Sequence, residues 1–245
     1  MTLDPGAHLE ALAAASEAFA GVAASNLDRP VASCPGWDVA DLVRHLGQVY
    51  GWAVAAVEAG GEAPEAPAGP APGGREDLSG WFLDRRADLL DALSGRDPQQ
   101  PAWKRRGGLG SVAWWRRRQA LETAVHLFDA ETAAGKRATI PAELAADGID
   151  EFLSELLPSY LARTPVPELK GTLHLHATDT DGEWHLDFSA PDLGLRREHS
   201  KADTALRGPA ASLYLWLWNR PPPEEGEVEV LGDGSAARAW GQVRY

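Results

Sequence analysis

Sulfur is nearly missing from this chain: it has one cysteine, Cys34, and one methionine in 245 residues. A single thiol rules out an intramolecular disulfide and fits a reducing compartment. Basic residues are also short, with 23 Lys plus Arg against 36 Asp plus Glu, and the formal charge of -13 repels a phosphate backbone over most of the surface. That excludes nucleic acid as the expected main partner. No stretch approaches the roughly 20 apolar residues of a membrane span. The opening run MTLDPGAHLEALAAASEAFAGVAASN has no basic flank, and Glu10 and Glu17 interrupt its apolar part, so it does not read as a secretion signal. A cytoplasmic protein with no membrane partner, monomeric or a small homo-oligomer, is expected. Lysine is scarce beside arginine while alanine and glycine abound, the pattern of a high-GC genome.

What is present is enough apolar material, 44% of residues, for a substantial core in one large domain or two ordinary ones. Residues 7–25 place Leu9, Leu12, Ala13, Phe19, Ala20 and Ala23 at helical spacing. After the Pro35–Gly36 turn, Asp38 caps a second helix to about Ala59, with Asp41 at its third position as a variant capping box. Residues 60–74, GGEAPEAPAGPAPGG, read as a flexible connection. A third helical stripe runs from Leu78 to Leu93 and stops at Gly95; a fourth begins near Ser111 and continues past Ala133. Four amphipathic helices in succession predict a helical bundle. Beyond a helix near 141–161 and the proline-containing segment 164–168, the period becomes two: LKGTLHLHATD, GEWHLDFSA and LGLRREH read as antiparallel strands. A short strand at 203–207, the apolar helix PAASLYLWLWNR, the strand EVEVLGD and the helix SAARAWGQV complete a small α+β domain with a mainly antiparallel sheet. The expected division is 1–162 and 163–245.

Glu122 and His126 lie four residues apart, about one helical turn, and so share a face. If His45, in the middle of the second helix, turns toward the same axis, the three form a two-histidine, one-carboxylate metal site with an open position, the form a catalytic site takes. The competing reading is an ordinary Glu-to-His helix-face pair. Zinc is the default for such ligands, with Ni, Fe or Mn left open by residue type. Asp129 follows His126 by three residues on the same face and reads either as a support for the site or a residue facing the cosubstrate, or as an ordinary polar residue. Cys34 reads as a buried structural thiol, with Trp37 stapling its turn to the helix, in preference to a nucleophile near a helix N-terminus; the basic cluster Lys104–Arg106 with Arg116–Arg118 reads as a solvated loop and helix start or as a local pocket for an anionic substrate. His174 and His176 alternate on one strand with only His185 as a further ligand, which reads as an exposed sheet face; His8 and His199 have no partner by sequence.

Three segments, CPGWDVADLVRHLGQVYGW, WWRRRQALETAVHLFDAETAAG and RGPAASLYLWLWNR, together resemble the mycothiol-dependent maleylpyruvate isomerase family over nearly the whole chain. The resemblance implies a DinB-like four-helix bundle followed by a smaller α+β domain related to sterol carrier proteins. It implies a divalent metal, usually zinc, held by His45, Glu122 and His126, and mycothiol as a thiol cosubstrate that attacks a small electrophile. It also implies an arginine of the second domain on the substrate carboxylate, with Arg220 as the nearest match and Arg207 second. Isomerisation and S-transfer both fit. A hydrolase using bound water and a non-catalytic small-ligand binding protein remain the alternatives.

Overall fold

The computed structural model describes residues 2–64, 69–104 and 108–243; residues 65–68 of the expected connection, and Arg105 and Arg106 of the basic cluster, lie outside them. Contacts divide the chain into two compact units, with main spans Asp4–Ala138 and Thr139–Tyr245. No helix among the described residues is long and apolar enough to cross a membrane.

In the first unit the helix starts are written in short polar side chains. The Asp4 carboxylate accepts from the backbone N–H groups of Gly6 and Ala7 at 2.8 and 3.1 Å, opening α1 (Pro5–Ala23) with Pro5 where no N–H is required. α2 (Val39–Glu58) carries the full capping box, Asp38 and Asp41 each accepting the other's backbone N–H at 3.0 and 3.1 Å. α3 (Leu78–Ser94) stops at Gly95. A hairpin that sequence patterning does not reveal follows, β1 (Pro101–Lys104) with β2 (Gly108–Ser111), each strand only four residues long. Ser111 then caps α4 (Val112–Ala133), accepting from the N–H of Trp114 at 3.2 Å.

α1 packs against α4 and α3, and α2 against α3 and α4. They bury Leu12, Phe19, Leu46, Tyr50, Phe82, Leu89, Leu121 and Phe128, each worth roughly 1.5–3 kcal/mol relative to exposure. Within this core the Tyr50 hydroxyl lies 2.7 Å from Thr123 Oγ1, a buried bond that fixes α2 against α4. The basic cluster is in part structural rather than solvated: Arg116 is buried and donates to the carbonyls of Leu93 and Arg96, closing the C-terminal end of α3.

The second unit begins with α5 (Ala142–Glu151), which runs through a π-helical turn, Phe152–Leu156, into α6 (Leu157–Leu161). The widened turn falls just before Pro158, whose ring would press on the carbonyl four residues back in an α-helical path. This helical segment belongs to the second unit, so the boundary expected at 162/163 lies at 138/139. The reason is packing against α7 (Ala210–Leu217): Gly148 lets the helices approach until a Cβ there would stand 2.5 Å from Cζ of the fully buried Tyr214. Gly148→Ala gains ~1 kcal/mol of helix propensity at an open site. Here it is expected to lower stability by about 1–2 kcal/mol through overpacking, read as a reduced urea midpoint at constant m; a raised midpoint would mean that α5 shifts away freely.

The sheet has the order β4-β3-β5-β6, with β3 (Thr172–Ala177), β4 (Glu183–Asp187), β5 (Thr204–Gly208) and β6 (Glu229–Gly232). β3–β4 and β5–β6 are antiparallel, but β3 and β5 run parallel. Leu173 faces Leu186 and Leu175 faces Trp184 across β3–β4, all buried, while His174 pairs with His185 and His176 with Glu183 on the opposite face. The segment LGLRREH does not form the expected strand. Asp192 and Leu193 take left-handed backbone, φ 53° and 58°, and coil the chain, so only Arg196 bridges to His185. α8 (Ser235–Trp240) places the Trp240 indole N–H on the carbonyl of Leu217 at 3.0 Å.

Candidate metal centre

α2 and α4 carry His45, Glu122 and His126 to one place. Glu122 Oε1 lies 3.1 Å from His45 Nε2 and 3.4 Å from His126 Nε2, and the imidazole centroids are 4.9 Å apart, edge to face. One donor atom from each residue falls within 4.8 Å of the other two. His126 is buried and His45 and Glu122 partly so, which leaves the cluster reachable from one side.

The surroundings orient these groups for such a task. Arg118, one turn before Glu122, places a guanidinium nitrogen 2.8 Å from Oε2 and leaves Oε1 to the two histidines. Burial alone would raise the Glu122 carboxyl, but the Arg118 charge and the hydrogen bonds with His126 and His45 hold it well below the usual carboxylate range. His126 Nδ1 is 3.0 Å from Asp129 Oδ2. A charged acceptor there keeps the proton on Nδ1 and turns Nε2 toward the cluster, as carboxylates do for metal-binding histidines. Burial would push His126 down, yet the hydrogen bonds to Asp129 and Glu122 outweigh it and raise its pKa to about 9. Asp129 is itself buried and receives the Ser33 hydroxyl at 2.5 Å, with Cys34 Sγ at 3.9 Å.

Two imidazole nitrogens and one ionised carboxylate oxygen, aimed together and separately braced, fit a borderline divalent cation such as zinc. His45, Glu122 and His126 would hold it; Asp129 and Arg118 brace two of the three. Asp129 contacts His126 on the side away from Glu122, and Glu131 is not among the residues whose donor atoms converge. Cys34 is half-buried, not buried, and serves Asp129. Trp37, 36% exposed, stands with its ring 5.3 Å from that of His45 and lines an open cleft of about 490 Å³ with Val31, Pro35 and Asp38.

Sequence reasoning missed two partners. Arg118 was findable as the residue four before Glu122; Ser33, 96 positions from Asp129, was not. Arg220 lies in the second unit just after α7, half-buried, donating to the Trp218 carbonyl at 2.9 Å with its guanidinium 5.9 Å from that indole ring. Arg207, on β5, is exposed and 3.7 Å from Glu229. The sheet histidines also depart from expectation: His174 and His185 are both buried, and His199 meets Glu183.

A family model described as "Mycothiol maleylpyruvate isomerase N-terminal domain" matches residues 8–131, and one described as "MDMPI C-terminal domain" matches residues 143–239. Among solved structures, a mycothiol-dependent maleylpyruvate isomerase superposes with a TM-score of 0.63 at 13% identity, covering 94% of this chain and 95% of that one. A histidine-to-alanine mutant of that enzyme gives 0.62 at the same identity and coverage, a likeness of fold. No curated protein matches the chain. With family models spanning both units, the chain belongs to the mycothiol-dependent maleylpyruvate isomerase family.

Proposed function

We propose that this chain is a mycothiol-dependent enzyme that isomerises a small electrophile bearing an activated cis double bond, or transfers the thiol to one, and that it works with a divalent metal held by His45, Glu122 and His126. The observation that carries the reading is the convergence of two imidazole nitrogens on Glu122 Oε1 in a member of this family. The first unit is read here as a DinB-like bundle. A zinc ion so held would lower the pKa of a thiol placed beside it and favour the thiolate at neutral pH.

The residues' own tasks follow from their placement. Glu122 stays ionised and supplies the anionic ligand, because Arg118 and the histidines stabilise its charge. Asp129 holds the His126 proton at Nδ1, which leaves the Nε2 lone pair for the cation. Trp37 and the open cleft beside it offer the cosubstrate an approach. In the isomerisation, the mycothiol sulfur forms a bond to one alkene carbon while the alkene electron pair moves into the conjugated carbonyl. Rotation about the carbon–carbon bond that was the double bond is followed by return of that pair and departure of the sulfur as thiolate, which is thereby regenerated. Arg220 is proposed to hold a substrate carboxylate; its planar fork suits that anion, and Trp218 limits its freedom.

The test is turnover of a panel that includes maleylpyruvate, measured with and without mycothiol and before and after chelation. Activity is expected only when thiol and metal are both present, with Arg220→Lys raising KM more than it lowers kcat. Turnover indifferent to mycothiol would instead identify water as the nucleophile. Full activity after exhaustive chelation would remove the metal from the reading.

A further inference from the structure

The second unit carries another convergent set of donors. His174 and His176 alternate along β3 and so share a face, and the register of the β3–β4 hairpin sets Glu183 directly opposite His176 and diagonal to His174. The chain leaves β4, bridges back at Arg196 and brings His199 to the same carboxylate. Three imidazoles thus meet one glutamate: His174 Nε2 is 2.5 Å from Oε2, while His176 Nδ1 and His199 Nδ1 are 2.6 and 3.3 Å from Oε1. The ring of His199 stands 5.1 Å from that of His174 and 6.2 Å from that of His176. One donor each from His174, Glu183 and His199 falls within 4.8 Å of the others. His185 is outside the set, because its Nδ1 already accepts from Arg196 at 3.1 Å.

We propose that His174, Glu183 and His199, with His176 beside them, form a second site for a divalent transition metal of the zinc class. Three neutral imidazoles can each donate one N–H to the carboxylate, and the same rings in the other tautomer or turned over present lone pairs to the same point. A dication uses those lone pairs and keeps the glutamate ionised. Imidazole-rich sets of this kind select zinc, cobalt, nickel or copper over magnesium and calcium, which prefer oxygen. Burial is graded, with His174 buried, His176 and Glu183 partly so and His199 77% exposed at its side chain, so an ion enters from the solvent side without unfolding the sheet. Its effect is local: it ties the turn carrying His199 to the β3–β4 hairpin.

The experiment is zinc binding to the chelator-stripped full-length protein, counted by native mass spectrometry and followed by cobalt absorption. Wild type is expected to take two equivalents. His126→Ala should retain one of them, and its thermal midpoint should rise on adding micromolar zinc. His199→Ala, a change on the surface that threatens no core, should lose the second equivalent or weaken it at least tenfold, and should leave mycothiol-dependent turnover unchanged. His174→Ala should do the same if its circular dichroism remains that of wild type. Uptake by His126→Ala only at millimolar zinc, or an unaltered count in His199→Ala, overturns the proposal.

Discussion

Glu122→Gln is expected to cost well over a hundredfold in zinc affinity and to bring thiol-dependent turnover to background. The argument lies in which way the amide must turn. Arg118 presents a guanidinium nitrogen 2.8 Å from Oε2 with its own side chain only 9% exposed, so it requires an oxygen there. The substituted side chain would satisfy it with its single carbonyl oxygen, which aims the NH2 group at His45 Nε2 and His126 Nε2, where Glu122 now places Oε1. A donor then occupies the ligand position, and the anionic charge is gone. Loss of an outer-sphere partner alone typically costs 10–100-fold in metal affinity; loss of the charged ligand itself should exceed that. Zinc competition against a chromophoric chelator measures the affinity, and circular dichroism checks that the isosteric change leaves the fold in place. Glu131→Gln, on the same helix outside the cluster, serves as the control and should change neither quantity.

The helices of the first unit are legible in the sequence because their ends are chemically marked. Asp38 with Asp41, Ser111 and Gly95 sit beside clear apolar stripes, and each acts where it stands. The pair Glu122 and His126 is legible for the same local reason, since helical geometry fixes what one turn brings together. That His45 joins them is a tertiary fact, set by α2 lying against α4 through Tyr50 and Thr123, 73 residues apart. Arg118 shows a different limit: its spacing to Glu122 is visible, but so is a basic cluster that reads as solvated, and only packing distinguishes a buried arginine from an exposed one. In the second unit, alternation identifies β3 and β4 but not that β3 pairs in parallel with β5, because the chain between them returns through the turn at Asp192–Leu193. That same turn delivers His199 to Glu183, so a histidine without a sequence partner acquires one by path rather than by pattern.

The pH response of the metal-stripped protein should locate the charge on His126 and, through it, the role of Asp129. His126 titrates at about 9 against an ordinary value of 6.5, since its hydrogen bonds to Asp129 and Glu122 outweigh the cost of burial. A raised histidine contributes stability that is fully present below 6.5 and is lost as pH climbs through about 9. Glu122 acts in the opposite sense: its depressed carboxyl contributes above 4.5 and loses that contribution as acid titrates it. Between those limits the cluster stabilises most. From pH 6.5 to 9 the thermal midpoint of stripped protein should therefore fall, by an amount equivalent to ~2 kcal/mol. Zinc reverses the trend, because the ion competes with the proton on Nε2 and its affinity should rise over the same interval with proton release. Asp129→Asn keeps an acceptor for Nδ1–H but removes its charge, which lowers the His126 pKa and moves the alkaline loss of stability toward 6.5. The same change makes the imidazole a weaker ligand, by up to ~10–100-fold in zinc affinity. The deficit should be largest at a pH well above the His126 value of about 9, where protons no longer compete, and smaller at pH 6, where easier deprotonation offsets part of it. A deficit that is the same at both pH values would mean that Asp129 positions the ring without setting its charge.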